Sequence, residues 1–454
     1  MSGAASPEAA AATTAPAAAP GFAAEIEAAL GRREPLPLVE LRRRAAARFG
    51  ELGWPSSRLE EWRFTNIAAV TRTRFERPGE AFDAAEVERL AAPHRLADAH
   101  ELVFVDGRLR PELSAAPSAL AGAEVGGLAQ LAARDFARLE PHLGRHASFV
   151  ERPFAALSTA LFEDGAALFV ERGARLERPV HLLFLTTGRA APTAVFPRVL
   201  VVVGETAEAT VIETYAGPSG MPYLVAPVTE IIAGDSATVD HYKLQRDGFD
   251  AFHLGLLHVE SGRAANVSTQ TFSLGAALAR HDVEGALVGE GSETTLNGLY
   301  LVRGRQLADY HMRVDHAAPH TRSHELFKGV LDERGRGVFN GRIHVHPVAQ
   351  KTDAKQTSRN LLLSDQAMVN ANPQLEIFAD DVRCTHGSTV GQLDELAVFY
   401  LRSRGIGLEA ARSLLTYAFA SDLVERVRVP AVHDQLQEYL LAWIPQGEVV
   451  REAI

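Results

Sequence analysis

The stretch Val199-Leu-Val-Val-Val-Gly-Glu-Thr-Ala-Glu-Ala-Thr-Val-Ile-Glu-Thr-Tyr215 contains the unit that decides the fold, two short strands joined by a turn that begins at a glycine. β-Branched residues are frequent in both halves, and this composition favours strands over helices. Similar segments, broken by turn residues, occur from about residue 165 to residue 391. The central half of the chain is therefore predicted to be a β domain.

The turn and the strand after it recur along this region. The four units begin at Gly204, Gly234, Gly262 and Gly289, at intervals of 30, 28 and 27 residues. A nearly constant period of this length predicts a solenoid. Because each unit contains strands and no helical period, we expect a β-helix in which each rung covers the apolar face of its neighbour. A β-sandwich of similar strands is the alternative.

Helical periods flank the strands. Short amphipathic segments between about residues 22 and 95 predict an N-terminal helical region, and after residue 394 the period predicts helices over 395–404, 408–424 and 432–442. Helices at the end of a solenoid are expected to cap its open edge. We divide the chain into an Ala- and Pro-rich disordered extension (1–21), a mainly helical N-terminal domain (22–160), a β-helix core (161–393) and a C-terminal helical domain (394–454).

One part of the N-terminal region has no clear period. Between about residues 97 and 154 the sequence leaves the fold open, with one exception. The segment Val103-Phe-Val-Asp-Gly-Arg-Leu109 predicts a short hairpin, because Asp-Gly is a preferred two-residue hairpin turn.

Composition narrows the class of protein. The chain has 454 residues, 46% of them hydrophobic, and a single cysteine, which excludes an internal disulfide and favours a reducing cytoplasm. No apolar stretch is long enough to span a bilayer, and the first twenty residues lack the features of a secretory signal. The net charge of −11 argues against nucleic-acid binding. We interpret the basic triplet at residues 42–44 as the solvated face of a helix.

Familiar catalytic motifs do not explain the chain. No Walker A sequence occurs, so ATP is not expected to bind here, and no G-x-S-x-G elbow is present. The run Gly405-Ile-Gly-Leu-Glu-Ala410 fits a dinucleotide-binding pattern, but it joins two predicted helices, whereas that motif must follow a strand. The sequence therefore does not indicate a P-loop ATPase, a dinucleotide-binding enzyme or a hydrolase with a nucleophile elbow.

The single cysteine lies in Asp380-Asp-Val-Arg-Cys-Thr-His-Gly-Ser-Thr-Val-Gly391, where Cys384 precedes His386 by two residues. In a strand these two side chains point to the same face. A thiol and an imidazole are both ligands for iron, zinc or copper. Two ligands do not complete a site, which needs three or four, so the remaining groups must come from elsewhere or from another chain. On spacing alone, a buried thiol beside a hydrogen-bonded histidine is the alternative.

Other histidines are less informative. His311, His316, His320 and His324 match no known ligand spacing, and we interpret them as hydrogen-bonded or exposed side chains. His344 and His346 share a strand face, but two imidazoles alone make a weak site, so we interpret them in the same way.

The region from Lys328 to Gly407 resembles the SufB/SufD family of iron–sulfur cluster assembly proteins. The segments that carry the resemblance are Lys328-Gly-Val-Leu, Gly337-Val-Phe-Asn-Gly-Arg-Ile-His-Val, Ala349-Gln-Lys-Thr-Asp-Ala-Lys-Gln-Thr, Asn360-Leu-Leu-Leu-Ser, Leu375 to Gly391, and Phe399-Tyr-Leu-Arg-Ser-Arg-Gly-Ile. Near the N-terminus, Arg58-Leu-Glu-Glu-Trp-Arg-Phe-Thr-Asn66 is similar to a signature of the SufD branch. The scarcity of cysteine also fits that branch better than the SufB branch.

The resemblance implies a fold and a set of partners. SufD-like proteins are right-handed parallel β-helices flanked by helical domains. They form a heterodimer with a SufB-like paralogue through the β-helix and bind a SufC-like ABC ATPase through C-terminal helices. The resulting complex assembles nascent iron–sulfur clusters and associates with reduced flavin, while ATP is hydrolysed by the partner. On this resemblance the chain is a non-catalytic scaffold subunit.

The resemblance also implies roles for particular residues. Cys384 and His386 would be metal ligands for a nascent cluster shared with the SufB-like partner. We expect His386 to be the more important ligand, because a neutral imidazole binds iron near neutral pH whereas an unactivated thiol is mostly protonated. The helices from residue 394 to residue 427 would bind the ATPase. From their apolar pattern we expect Leu401, Tyr417 and Phe419 to be the anchors of that contact.

Two other functional classes remain open at this point. One is a cytoplasmic β-helix enzyme that acts on a polysaccharide, and the other is a metal or flavin carrier that works without partners. The sequence does not decide whether the isolated chain forms a homodimer, which type of cluster it carries or which proteins receive it.

Overall fold

The structure is a computed structural model that describes residues 21–115 and 120–453. Apart from Gly21, the predicted N-terminal extension lies outside the described residues. The strands are β1 (His100–Val105), β2 (Arg108–Leu109), β3 (Ala123–Gly127), β4 (Gly165–Val170), β5 (Val180–Leu185), β6 (Thr193–Val195), β7 (Arg198–Val203), β8 (Glu208–Ala216), β9 (Tyr223–Val225), β10 (Val228–Ala233), β11 (Thr238–Arg246), β12 (Phe252–Ser261), β13 (Asn266–Ser273), β14 (Leu278–Leu287), β15 (Glu293–Val302), β16 (Leu307–His316), β17 (Arg322–Leu331), β18 (Arg336–Val345), β19 (Asp353–Leu362), β20 (Met368–Ile377) and β21 (Arg383–Gly391).

The strands form two sheets that face each other. A ten-stranded sheet has the order β2-β1-β5-β8-β11-β13-β15-β17-β19-β21, and an eleven-stranded sheet runs β20-β18-β16-β14-β12-β10-β7-β4-β3 with β6 and β9 beside that path. From β4 and β5 to β20 and β21 the chain makes eight rungs, each with one strand in either sheet. Neighbouring rungs pair in parallel, as in β10 with β12 and β17 with β19. The parallel pairing excludes the β-sandwich alternative.

Equivalent residues of successive rungs stack in rows. One inner row of the eleven-stranded sheet consists of Val201, Ile231, Val259, Gly285, Val314, Ile343 and Leu375. The inner faces of both sheets bury a continuous apolar core that extends from β1 to the last rung. Each fully buried Val, Leu or Ile side chain contributes about 1.5–3 kcal/mol relative to an exposed one, so the stacked rows stabilise the solenoid.

The glycines that mark the sequence repeat lie at the corner where each rung crosses between the sheets. A Cβ atom on Gly204 would lie 2.8 Å from the backbone nitrogen of Arg172 in the preceding rung. On Gly289 it would lie 2.0 Å from the backbone nitrogen of Arg263. Glycine recurs at these corners because the backbones of successive rungs approach too closely for a side chain, and this requirement produces the repeat in the sequence.

Helices flank the solenoid, and several of them pack against the outer faces of the two sheets. They are α1 (Ala23–Leu30), α2 (Leu36–Leu52), α3 (Ala68–Arg72), α4 (Ala84–Ala91), α5 (Leu128–Arg134), α6 (Phe136–Leu139), α7 (Pro153–Leu161), α8 (Glu395–Ser403), α9 (Leu408–Val424), α10 (Pro430–Trp443) and α11 (Gly447–Ala453). The fold is thus mainly β, a parallel β-solenoid with N- and C-terminal helices, and the predicted fold class is confirmed. In the described part of the chain, no helix is both long and apolar enough to cross a membrane.

The C-terminal helices do not cap the solenoid as the sequence suggested. Helices α9 and α10 pack against the outer face of the ten-stranded sheet, where Tyr417 and Leu436 contact a cluster that includes Phe272 and Leu299. Within the described residues, β20 pairs only with β18 and β21 only with β19. The two strands of the last rung are therefore edge strands, with one row of backbone hydrogen-bonding groups left without a strand partner.

The N-terminal region holds both helices and strands. β1 pairs in parallel with β5, and β3 pairs antiparallel with β4, so this region extends both sheets of the solenoid. The predicted hairpin is present, with β1 antiparallel to β2 and the turn residues Asp106 and Gly107 at φ 51° and 80°. These values match a type I′ turn.

The signature at residues 58–66 attaches the N-terminal region to the solenoid. The guanidinium of Arg280 on β14 lies 3.9 Å from the ring centre of Trp62 and donates to the carbonyl oxygen of Glu61 at 2.6 Å. Thr65 donates to the buried Asp309 on β16. The signature therefore has a structural role.

The interpretation of the basic triplet is wrong for its first residue. Arg42 is buried in α2, where it pairs with Glu34 at 2.7 Å and lies 4.1 Å from the ring centre of Phe162. Arg43, in contrast, is exposed and pairs with Glu40. Only part of the triplet is a solvated helix face.

Candidate metal centre at the last rung

Cys384 and His386 lie on β21, the last strand of the ten-stranded sheet. Their register partners on β19 are Ala354 and Gln356, and both of these side chains are buried in the solenoid. Cys384 and His386 therefore share the inner face of the sheet, as the spacing predicted. Because no rung follows β21 in the described chain, this inner face is partly open.

The environments of the two side chains differ. Cys384 is half-buried and packs against the apolar core with Val369, Ala371 and Leu375 of β20. Burial raises the pKa of its thiol, with a smaller contribution from the carboxylates of Asp353 and Glu325. A neutral thiol is a weak ligand, so Cys384 requires a metal ion or a nearby positive charge to become a thiolate.

His386 is exposed at the same open end. Its side chain makes no hydrogen bond or ion pair within the described ranges, so both ring nitrogens remain available for a ligand or a partner. A neutral imidazole binds iron near neutral pH without first losing a proton. The arrangement therefore favours His386 as the first ligand of the pair.

Two buried polar residues lie directly beneath His386, one in each of the preceding rungs. The register runs from Glu325 on β17 to Gln356 on β19 to His386 on β21. Within the described residues, neither carboxyl oxygen of Glu325 and neither amide atom of Gln356 has a hydrogen-bond partner. Burial raises the pKa of Glu325 to about 8, so this carboxyl is neutral at pH 7.

A glycine of the facing sheet, Gly341, lies opposite Gln356 and leaves room for its side chain. A Cβ atom on Gly341 would lie 2.6 Å from the side-chain nitrogen of Gln356. Buried polar groups without partners are rare, and they indicate places where water, an ion or another group completes the hydrogen bonds. We name Glu325, Gln356 and His386 the polar column.

The sequence reasoning missed Glu325 and Gln356. The solenoid period was the signal that could have found them, because residues 325, 356 and 386 are separated by 31 and 30 positions. Counting back one and two rungs from His386 leads to both residues.

The predicted partner-binding residues do not share one exposed surface. Tyr417 is buried against the ten-stranded sheet, and its hydroxyl accepts a hydrogen bond from Gln437 at 3.0 Å. Phe419 is half-buried, and its ring and carbonyl oxygen contact Lys328 of β17. Leu401 is half-buried on α8. The structure does not bring these three side chains together on one exposed surface.

Helix α8 instead exposes an apolar stripe. Leu396, Phe399 and Tyr400 are 77%, 69% and 55% exposed, and their spacing of three and four residues places them on one helix face. Val398 is buried and anchors α8 to the rest of the chain. We name Leu396, Phe399 and Tyr400 the α8 stripe.

The histidines between residues 311 and 324 behave as interpreted from the sequence. His316 is buried and hydrogen-bonds to Thr321 and Ser323. His311 lies 3.2 Å from a carboxylate oxygen of Asp309. His320 and His324 are exposed, and the four side chains form no common site.

Comparison with known protein families gives two matches that together span most of the chain. Residues 184–419 match the family described as SUF system FeS cluster assembly, SufBD core domain. Residues 24–182 match the SufBD protein N-terminal region. The first match includes the whole polar column and both predicted metal ligands.

Curated relatives are similar over 63–88% of the chain. An iron–sulfur cluster assembly SufBD family protein of Synechocystis is 35% identical over 412 residues, which cover 88% of this chain and 90% of that protein. The iron–sulfur cluster assembly protein SufD of Escherichia coli is 31% identical over 398 residues, which cover 87% and 90%. SufD of Bacillus subtilis is 30% identical over 306 residues, 63% of this chain and 65% of that protein.

Proposed function

The chain belongs to the SufB/SufD family of iron–sulfur cluster assembly proteins, and on that premise we propose that it is the SufD-like scaffold subunit of a complex that assembles nascent clusters. In this role it is non-catalytic, works in the cytoplasm and contributes ligands at an interface with a SufB-like paralogue. The single observation that carries the proposal is the last rung, where an incomplete set of metal ligands lies on an unpaired edge.

The ligand count supports a shared site. Cys384 and His386 supply one sulfur and one nitrogen from the inner face of β21. An iron or zinc ion takes at least four ligands, so two or more must come from the partner, from sulfide or from solvent. The open end above the polar column gives such groups access to both side chains.

The edge strands support a protein partner at this place. Unpaired strand edges pair readily with strands of another chain. Large apolar side chains around the last rung are also exposed, among them Met368, Phe378 and Val390 at 53%, 59% and 46%. Exposed apolar groups beside an unpaired edge are typical of an interaction surface. A paralogous solenoid that continues the sheets would cover both features.

We place the docking surface for a SufC-like ABC ATPase on the C-terminal helices, centred on the α8 stripe. Leu401 is adjacent to this stripe in sequence, whereas Tyr417 and Phe419 pack towards the ten-stranded sheet and are not part of this surface. An amphipathic helix with exposed apolar anchors fits a groove on a partner. Alanine at Phe399 and Tyr400 should weaken ATPase binding at least tenfold, and unchanged binding would refute this placement.

Affinity purification of the tagged chain from its native cytosol, under anaerobic conditions, tests the proposal. We expect recovery of an ABC-type ATPase and a cysteine-richer paralogue, together with iron. A variant with Val390→Glu on the uncovered inner face should no longer recover the paralogue but should still recover the ATPase. Phe399→Asp should recover the paralogue without the ATPase. Recovery of the chain alone, at physiological concentration, would contradict the proposal. Reduced flavin is expected only in the assembled complex.

A further inference from the structure

A second cluster of metal-ligating side chains lies on the outer face of the eleven-stranded sheet. Asp315 on β16 is the register partner of His344 on β18, and His346 follows β18 directly. One ligand atom from each of the three lies within 4.8 Å of the other two. The sequence reasoning treated the two histidines as a weak pair because the carboxylate is contributed by the neighbouring rung.

The orientation of His344 suits a metal ligand. Its Nδ1 atom lies 2.9 Å from a carboxylate oxygen of Glu376, which is its register partner on β20. The carboxylate holds the proton on Nδ1 and leaves the lone pair of Nε2 for a metal ion. Metal-binding histidines commonly have such a carboxylate partner.

Asp315 already has one partner. Arg313 on the same strand donates to both carboxylate oxygens, at 2.8 and 3.1 Å. Each oxygen has a second lone pair, so Asp315 can accept these hydrogen bonds and still bind a cation. The site is also accessible, because the side chains of Asp315 and His344 are 26% and 21% exposed.

We propose that Asp315, His344 and His346 bind a single divalent first-row transition-metal ion, with Glu376 as the residue that orients His344. Two histidines and one carboxylate, with the remaining positions open, are the ligand set of mononuclear iron(II) sites. The choice of Fe2+ over Zn2+ rests on the proposed function, since a cluster scaffold must receive iron. The site is distinct from Cys384 and His386, which face the interior from the other sheet.

The geometry requires only a modest adjustment. Metal–nitrogen and metal–oxygen bonds of about 2.0–2.2 Å separate neighbouring ligand atoms by about 3–3.5 Å. The ligand atoms lie within 4.8 Å of one another, so metal binding requires a shortening of at most about 1.5 Å, which rotation of a histidine about its side-chain bonds can supply. His346 lies just beyond the end of its strand and is the side chain best placed to move.

Anaerobic binding measurements on the full-length chain test the site. We use a Cys384→Ala/His386→Ala background so that the last-rung ligands do not contribute, and we follow Fe2+ by equilibrium dialysis and Co2+ by its visible absorption. One equivalent of Fe2+ should bind. His344→Ala and His346→Ala should each weaken binding more than 100-fold, and Glu376→Gln, which disturbs only orientation, about 10- to 100-fold.

The matched control is His324→Ala, an exposed outward-facing histidine of β17, which should leave binding unchanged. Asp315→Asn keeps the size of the side chain and provides a second ligand variant, and thermal unfolding establishes that each variant is folded. Equal Fe2+ affinity in the His344→Ala, His346→Ala and parent proteins would overturn the site. Binding of Zn2+ without measurable binding of Fe2+ would overturn the assignment to iron.

The outcome is separable from that of the proposed function. Binding is measured on the chain alone, whereas the scaffold role is tested by recovery of partners. Loss of Fe2+ binding with normal recovery of the paralogue and the ATPase would leave the scaffold role in place. Failure to recover the partners while Fe2+ still binds would contradict the scaffold role and leave the metal site in place.

Discussion

The middle rungs and the last rung follow the same strand pattern but have different environments. In the middle, the inward-facing side chains are buried, and a buried carboxylate such as Glu213 can accept hydrogen bonds from His241 and Thr229. In the last rung, the equivalent inner faces of β20 and β21 are half-buried or exposed. The difference arises because every middle rung has a neighbour on both sides and the last rung has one. The buried contacts of the middle rungs therefore stabilise the fold, whereas the last rung has exposed groups that are accessible to a ligand or a partner.

Among substitutions that leave the protein folded, the largest expected effect is the loss of a buried ion pair in the middle rungs. Glu230 on β10 accepts from Arg198 and from the backbone nitrogens of Gly144, His146 and Ala147. Glu230→Ala would leave the fully buried Arg198 without its counter-charge, so we expect the free energy of unfolding to fall by about 3–5 kcal/mol. Chemical denaturation measures this change.

The control for Glu230→Ala lies at the last rung. Asp381 pairs with Lys351, and both side chains are exposed, so Asp381→Ala should change the free energy of unfolding by less than about 1 kcal/mol. An equal loss of unfolding free energy in the two variants would contradict the difference in stability between the middle rungs and the last rung.

The next largest effect concerns the polar column and depends on pH. Burial raises the pKa of Glu325 to about 8 in the folded state, above an unfolded value of about 4.3. Between pH 5 and pH 7 the folded protein holds a proton that the unfolded chain has released, so the contribution of this group to stability is lost as pH rises. Glutamine does not titrate, so this loss should be absent in Glu325→Gln. Between pH 5 and pH 7 the free energy of unfolding of Glu325→Gln should therefore rise by about 2–3 kcal/mol relative to that of wild type.

Denaturation of both proteins at pH 5, 6 and 7 measures the difference directly. Other groups titrate equally in the two proteins and cancel. A difference between Glu325→Gln and wild type that stays constant with pH would contradict a buried neutral carboxyl at this position.

Substitution of the uncovered inner face should affect stability less. Val390 on β21 has no rung above it, so Val390→Glu should cost less than about 1 kcal/mol in the monomer, since the added charge remains in water. The same change at Val259 in the middle core would bury an unpaired charge and should prevent folding. Circular dichroism and thermal unfolding distinguish the two variants.

The smallest effect on stability is expected for the predicted ligands. His386→Ala removes an exposed side chain, and the free energy of unfolding should change by less than about 0.5 kcal/mol. Cys384→Ala removes a half-buried thiol and should cost slightly more, because it packs against the core. For cluster assembly we expect the reverse order, with greater damage from His386→Ala. Wild-type assembly in both variants would exclude a role for the pair as ligands.

The features that repeat or act locally could be predicted from the sequence. The glycine corners gave the rung period because a Cβ atom would collide with the preceding rung, and Asp106 and Gly107 specified their hairpin through a two-residue turn. The shared face of Cys384 and His386 followed from strand geometry alone.

Features that depend on distant contacts could not be predicted in the same way. The position of α9 and α10 beside the ten-stranded sheet depends on the outer-face residues that they cover, such as Phe272 and Leu299. Asp315 joins His344 only through the register of β16 and β18. Helical periodicity identified Tyr417 as apolar, but it could not distinguish a buried contact from an exposed anchor.

The central claim is that the open last rung holds part of a cluster site. Its most direct test is anaerobic reconstitution of the purified complex with iron and sulfide, followed by the visible absorption of the cluster and by iron analysis. The account predicts that His386→Ala reduces the cluster formed at least tenfold, with the complex still assembled, while His324→Ala matches wild type. Equal cluster formation in wild type and His386→Ala would contradict it.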